Sequence, residues 1–229
     1  MFGNIFNKLR NPFPLTIPFN TVTEYDLKIK TPSAIMLAGP SGSGKTTLLL
    51  KIIHSLALLF YPVPVQVVYC YLEYNSAVPK FQKAGHTVYH GIPNDEFLSR
   101  CKKPLLLIFD DLMLKMDKKY LDQLFTVKSH HRNITVIFVV QNLFEKAIKT
   151  ARDNCQYLIL MNAPSSKRQI RDIGSNLFPG KTKEFMEIYD DATSKPFGYL
   201  LIDLHSSTKS ECKLRTNIFP DEFTRVYCP

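Results

Sequence analysis

The sequence predicts an α/β domain in which a mainly parallel central sheet is flanked by helices, and three features carry that expectation. Apolar runs without polar alternation recur along the chain, helical patterns separate them, and the runs stop abruptly at glycine or at polar residues. A short arm, residues 1–27, leads to Ile35-Met36-Leu37-Ala38, a compact strand that ends at a glycine-rich turn. A helical pattern follows from Lys45 to about Phe60. Val65 to Leu72 reads as a buried strand, Val88-Tyr89 as another, and a short helix starts near Asn94. Leu105 to Phe109 is a strand that stops at Asp110-Asp111; Pro104 is tolerated at its start because a first strand residue can do without its amide hydrogen bond. A helical segment runs on to about Val127, and Ile134 to Val140 is the next buried strand, closed by Gln141-Asn142. Beyond it lie a strand over Tyr157 to Met161, helices over Ser166 to Leu177 and Thr182 to Tyr189, and a late strand over Tyr199 to Leu204. Parallel strands joined through helices take right-handed crossovers.

At 229 residues and 26.3 kDa the chain has room for one large core, and residues 28–229 are expected to form a single domain. Apolar residues at 45% and charged residues at 21% exclude disorder for the bulk of it. The net charge of +9 favours polyanionic partners without choosing among nucleic acid, nucleotide and membrane. Cys70, Cys101, Cys155, Cys212 and Cys228 are odd in number and form no C-x-x-C pair, which points to a reduced, intracellular setting. The opening residues MFGNIFNKLRNPFP lack the continuous apolar core of a secretory signal. No apolar stretch approaches the roughly 20 residues needed to cross a bilayer, so a soluble chain without a membrane partner is expected.

Gly39-Pro40-Ser41-Gly42-Ser43-Gly44-Lys45-Thr46 fits G-x-x-x-x-G-K-[ST], the phosphate-binding loop, with Thr47 next in the same nucleotide-binding stretch. The motif leaves a buried strand and opens a helix, the arrangement in which successive amides and a helix N-terminus point at one polyanion. A glycine turn that binds nothing is the bland alternative. Gly42 and Gly44 let the backbone wrap phosphate, Lys45 supplies a point charge to the β- and γ-phosphates, and the Thr46 hydroxyl is a Mg²⁺ ligand. Asp110, at the carboxyl end of an apolar strand, is placed to hold the Mg²⁺ shell, and Asp111 to act as the general base toward water. Either carboxylate is equally of a type that caps helices. Gln141 ends the next strand with a neutral amide suited to sensing the γ-phosphate, or merely to satisfying loop backbone. No N-K-x-D guanine-selecting element follows, so ATP is the nucleotide expected.

These strand ends, with the words AIMLAGPSGSGKTTLL, VYCYLEYN, HGIP, LLLIFDDLM, SHHRNITVIFVVQNLF and SSKRQIRDIGSNLFPG, resemble the FtsK/HerA superfamily of DNA-pumping ATPases. The resemblance is to its viral genome-packaging branch, found in poxvirus-like large DNA viruses, virophages and Polinton-type elements, and it runs from about Ala34 to Gly180. It implies a P-loop NTPase fold of the additional-strand type and a Mg²⁺-dependent ATPase that drives double-stranded DNA into a preformed capsid. The implied partners are double-stranded DNA, further copies of the chain in a homo-oligomeric ring, and a capsid or portal protein. The implied location is the host-cell site of virion assembly, in cytoplasm or nucleus, or the virion itself. The superfamily often carries Glu where this chain has Asp111, one methylene shorter.

Members of the superfamily also use an arginine from a neighbouring subunit, often just before the sensor strand, and Arg132 fits that place; Arg168 and Arg171 are its rivals. A ring then follows, because an arginine acting in trans needs a head-to-tail interface that closes. His130 and His131 are adjacent and so lack the i, i+4 spacing of a helical metal pair. Lys115, Lys118 and Lys119 are candidates for sequence-blind contact with DNA phosphates, or a plain solvated face, and Lys8 and Arg10 on the arm for portal or DNA contact. Two other readings stay open. A small-molecule kinase would place Asp111 against a substrate hydroxyl, and a non-catalytic interaction protein would use nucleotide only to order an interface.

Overall fold

Of the 229 residues, the computed structural model describes 22–125, 132–143 and 148–228. In chain order the strands are β1 (Ile29–Lys30), β2 (Ala34–Ala38), β3 (Phe60–Tyr61), β4 (Gln66–Tyr71), β5 (Thr87–His90), β6 (Leu105–Asp110), β7 (Ile134–Val140), β8 (Tyr157–Met161), β9 (Tyr199–Asp203), β10 (Leu214–Thr216) and β11 (Arg225–Tyr227). The α-helices are α1 (Lys45–His54), α2 (Leu56–Leu59), α3 (Val78–Lys83), α4 (Asp95–Arg100), α5 (Lys118–Gln123), α6 (Lys149–Asn154), α7 (Lys167–Leu177) and α8 (Thr182–Ala192). They fall into two compact units. Among the described residues, one, the parallel-sheet unit, holds those within 29–38 and 60–157; the other, the phosphate-loop unit, holds those within 22–28, 39–59 and 158–228.

The parallel-sheet unit is built on β2-β7-β6-β4-β5, with every neighbouring pair parallel. Its strands are the non-alternating apolar runs. All of β2 and β7 is buried, and Leu105 to Phe109 are completely so, which leaves little room for polar side chains in these strands. Each such Leu, Ile, Val or Phe contributes about 1.5–3 kcal/mol of burial. The stacked rings of Phe109 and Phe138, 5.6 Å apart, tie β6 to β7. Since β7 stands between β2 and β6, the unit contains the additional strand that the family resemblance implies. At α4 the Asn94 side chain accepts from the Phe97 amide at 2.9 Å, which starts the helix where the sequence places it.

The phosphate-loop unit carries α1, α7, α8 and the strands β8, β9, β10 and β11, of which β9-β10 and β10-β11 are antiparallel. Asp203 at the end of β9 and Arg215 in β10 are both fully buried and pair at 2.6 Å, with the Thr208 hydroxyl donating to the same carboxylate at 2.9 Å. Arg215 also donates to the Asp26 carbonyl, and Lys209 pairs with the Asp26 carboxylate at 3.0 Å. The 3-10 turn Glu24–Leu27, closed by a Thr23/Asp26 capping box, is thereby tied down at the end of the arm.

Two sequence readings change. The helix expected to reach Phe60 stops at His54, is interrupted at Ser55, and gives way at Phe60 to β3. Phe60 is wholly buried in parallel register with Ile29 of β1, so tertiary pairing overrides the local helical pattern. The helical segment after Asp111 is a 3-10 turn, Met113–Lys115, followed by α5; its expected end near Val127 lies outside the described residues. β1, β3, β10 and β11 have two or three residues each, too few to leave a period in the sequence.

Candidate nucleotide site

The phosphate loop begins where β2 ends at Ala38 and passes into α1 through Gly44. Gly44 is the helix N-cap with φ 96° and ψ 13°, a left-handed conformation that costs glycine nothing, and no side chain caps the helix. The first turn of α1 also holds no acidic residue, so its partial positive charge is not offset from within. Gly42 has φ 76°, again left-handed. Lys45 Nζ donates to the Gly39 carbonyl at 2.7 Å and to the Pro40 carbonyl at 3.0 Å, and the Ser43 amide donates to Pro40 at 3.2 Å. The ammonium is therefore folded onto its own loop. Ser43 Oγ is buried without a hydrogen-bond partner among the described residues. An uncapped helix start, an ammonium held by two carbonyls and an orphaned hydroxyl together fit a polyphosphate. Thr46 is half-buried, and Ser41 and Thr47 are exposed.

In the parallel-sheet unit the carboxyl ends of three strands stand side by side: Ala38 is paired with Val140, and Val139 with Asp110. Asp110 is the last residue of β6. The Tyr69 hydroxyl from β4 donates to its Oδ2 in a short hydrogen bond, and Asn75 Nδ2 approaches the same oxygen at 3.4 Å. Burial, followed by the Asp110 carboxylate itself, pushes the Tyr69 phenol far above its ordinary range, so it stays a donor. Its ring is stacked on Phe81 at 4.2 Å, which fixes its direction. Asn75 is set by its own Oδ1, which accepts from the Ala77 amide at 2.9 Å.

Asp111 follows with φ 51°, a left-handed backbone that turns the chain off the strand axis. Its Oδ2 accepts from Gln141 Nε2 at 3.0 Å. The structure thus joins the base and sensor candidates directly. Both are exposed, whereas Asp110 is half-buried. Among the described residues no group of three or more His, Cys, Asp or Glu gathers into a metal centre. The Asp110 carboxylate is a hard oxygen donor of the kind that suits Mg²⁺, which keeps several waters and takes few protein ligands.

Arg132 is not brought to Asp111 or Gln141. It precedes the amino end of the seven-residue β7, while Gln141 follows the carboxyl end, so a strand roughly 20 Å long at about 3.3 Å per residue lies between them. Arg132 pairs instead with Asp95 at 3.1 Å. Arg168 and Arg171 are exposed on α7, and Lys115 and Lys119 are exposed. His130, His131, Lys8 and Arg10 lie outside the described residues, as does the side chain of Lys118. The sequence reading missed Tyr69 and Asn75; the signal available was polar groups inside VYCYLEYN, next in space to the metal strand. All five cysteines are free, and no described helix is long and apolar enough to cross a membrane.

Comparison with solved structures finds the genome packaging NTPase B204 from Sulfolobus turreted icosahedral virus 2 in complex with sulfate. It is 14% identical with a TM-score of 0.54, covering 80% of this chain and 95% of that one. The same protein in complex with ATP-gammaS gives 13% identity and a TM-score of 0.49 over 80% and 95% of the two chains. The KaiC-like protein PH0186 from Pyrococcus horikoshii OT3 gives 16% identity and a TM-score of 0.44 over 86% and 90%. At these identities the first likeness speaks for the fold. A search of curated proteins returned no match. The family model described as Poxvirus A32 protein matches residues 22–195, most of the chain, including the strand ends at Ala38, Asp110 and Val140. The chain is a member of the poxvirus A32 protein family.

Proposed function

We propose that the chain is an ATP-hydrolysing motor that drives double-stranded DNA into a preformed viral capsid at the host-cell site of virion assembly. The observation that carries this reading is the shared register of Ala38, Val140 and Asp110. The loop that follows β2, the sensor amide after β7 and the carboxylates of β6 all leave one edge of a parallel sheet, where open α/β folds bind ligands. Membership of the poxvirus A32 family supports a packaging role over a small-molecule kinase, and the Sulfolobus virus neighbour is itself a genome packaging NTPase.

In this mechanism the backbone N–H groups of Ser41 to Thr47, at the start of α1, receive the phosphates; Pro40 has none to offer. Lys45 exchanges the Gly39 and Pro40 carbonyls for phosphate oxygens, so a charge already in the loop is redirected. Thr46 and Asp110 would hold Mg²⁺, which supplies charge neutralisation on the phosphates when bound. Tyr69 and Asn75 keep the Asp110 carboxylate in one orientation. Asp111 orients water and takes its proton, and Gln141 holds the Asp111 carboxylate from the neighbouring strand tip. Arg132 sits at the far end of β7 from this chain's Asp111. A role on the γ-phosphate is therefore a role toward a neighbouring subunit, which makes the working form a homo-oligomeric ring. The net charge of +9, with Lys115 and Lys119 exposed, suits phosphate contact without base reading, and the capsid or portal protein is the remaining partner.

The test is ATP hydrolysis with and without duplex DNA. Turnover rises with DNA, the rise fades with added salt, and Lys45→Ala abolishes hydrolysis. DNA-independent turnover would remove the motor and leave a simple hydrolase.

A further inference from the structure

Lys195-Pro196-Phe197-Gly198, between α8 and β9, forms a tight turn closed by the Gly198 amide donating to the Lys195 carbonyl at 2.9 Å. Proline in the second position and a positive φ in the third make this a type II turn, whose third position is normally glycine. Here that position is Phe197, with φ 62°. A bulky residue in the left-handed region is strained, and such outliers persist where the side chain has work elsewhere. Glycine is available in the same turn, one residue later.

The Phe197 ring is not spent on the core. It is 61% exposed, among the most exposed large apolar side chains described. It lies against the phosphate loop: a Cβ placed on Gly44 would fall 2.5 Å from Phe197 Cδ1 and 3.1 Å from Cγ. The bare Gly44 backbone thus lets an aromatic face stand directly beside the residue that opens α1. The turn is anchored at its start, where Asn162, just after β8, donates to the Thr193 carbonyl at 3.2 Å and the Thr193 hydroxyl bonds Tyr189 O at 2.7 Å. Phe197 also falls beyond residue 195, where the family match ends.

We propose that Phe197 stacks on the base of the nucleotide whose phosphates occupy the loop. This rests on the nucleotide reading of that loop and adds its base-binding wall. A π-face stacks on any base, so Phe197 adds affinity without choosing the base. The strain at Phe197 is the structural cost of presenting the ring outward.

The test compares ATP with inorganic tripolyphosphate, which shares the phosphates and lacks the base, by calorimetry on wild type, Phe197→Ala and Phe197→Trp. Phe197→Ala weakens ATP roughly ten- to a hundredfold and leaves tripolyphosphate unchanged. Phe197→Trp restores ATP binding. Because the chain has no other tryptophan, the fluorescence of that variant also reports the contact directly, changing with ATP and not with tripolyphosphate. Phe197→Gly, which removes the strain, melts no lower than wild type yet binds ATP as weakly as the alanine variant. The proposal is overturned if Phe197→Ala binds ATP like wild type, or if ATP and tripolyphosphate weaken equally, which would make the ring only a prop for the loop. Wild type binding neither probe would instead overturn the nucleotide site itself.

Discussion

Replacing Tyr69 by phenylalanine removes one oxygen and leaves the ring stacked on Phe81, so it isolates the donor that holds Asp110. A hydrogen bond to a charged group contributes about 1.5–3 kcal/mol, and the contact of Asn75 with that oxygen, at 3.4 Å, is too long to replace it. A loss of about 2 kcal/mol lowers the melting temperature of a chain this size by roughly 4–8 °C. Asp110→Asn tests the other partner, and the double variant closes a cycle. Thermal or urea unfolding of the four proteins should give a coupling of about 1.5–3 kcal/mol between the two positions. The same Tyr69→Phe change should raise the Mg²⁺ concentration needed for half-maximal hydrolysis, because a carboxylate with two orientations is a poorer ligand than one held in place. Additive stabilities, together with an unchanged Mg²⁺ requirement, would refute the idea that Tyr69 positions the metal carboxylate.

Further outcomes follow from the same geometry. Gln141→Glu puts a like charge where an amide now donates to Asp111 at 3.0 Å, and should cut turnover at least tenfold with little change in ATP binding, measured by steady-state kinetics and calorimetry. Arg132→Ala breaks only a part-exposed ion pair with Asp95, so unfolding should shift by under about 1 kcal/mol while hydrolysis falls strongly. Mixing Arg132→Ala with Lys45→Ala subunits should then restore part of the activity, since a mixed ring pairs an intact loop with an intact arginine; no restoration would argue against action in trans. Burial raises the Tyr199 phenol above its ordinary 10 and the Cys155 thiol above its ordinary 9.0. Both groups stay protonated in the folded chain while the unfolded chain ionises. Stability should therefore be level below pH of about 9 and decline as pH rises beyond it, followed by urea midpoints across that range.

The parts of the fold legible in the sequence are those where burial acts on consecutive residues. β2, β6 and β7 each fill both faces of their position with apolar side chains, so the runs AIMLA, LLLIF and ITVIFVV announce themselves, and their polar terminators locate the strand tips. What stayed hidden depends on contacts between distant segments. Phe60 becomes a strand residue only because Ile29 lies beside it, and the antiparallel β10 and β11 are too short to show a period. At the site, residue type and position at strand ends nominated Lys45, Asp110, Asp111 and Gln141 as candidates, and the structure sets Asp111 and Gln141 in hydrogen-bond contact. Tyr69 was invisible because its importance lies in reaching across from β4 to a carboxylate 41 positions later. Phe197 was invisible because its turn looks unremarkable until φ is known.

The most direct measurement of the central claim is the structure of the wild-type chain crystallised with a non-hydrolysable ATP analogue and Mg²⁺. Phosphates are expected on the backbone N–H groups of the loop after Ala38, with Lys45 Nζ moved from the Gly39 and Pro40 carbonyls onto phosphate oxygen. Mg²⁺ would then be held by Thr46 and Asp110, with water against Asp111. An analogue bound elsewhere, or a loop filled while Asp110 and Asp111 face away from the phosphates, would contradict it.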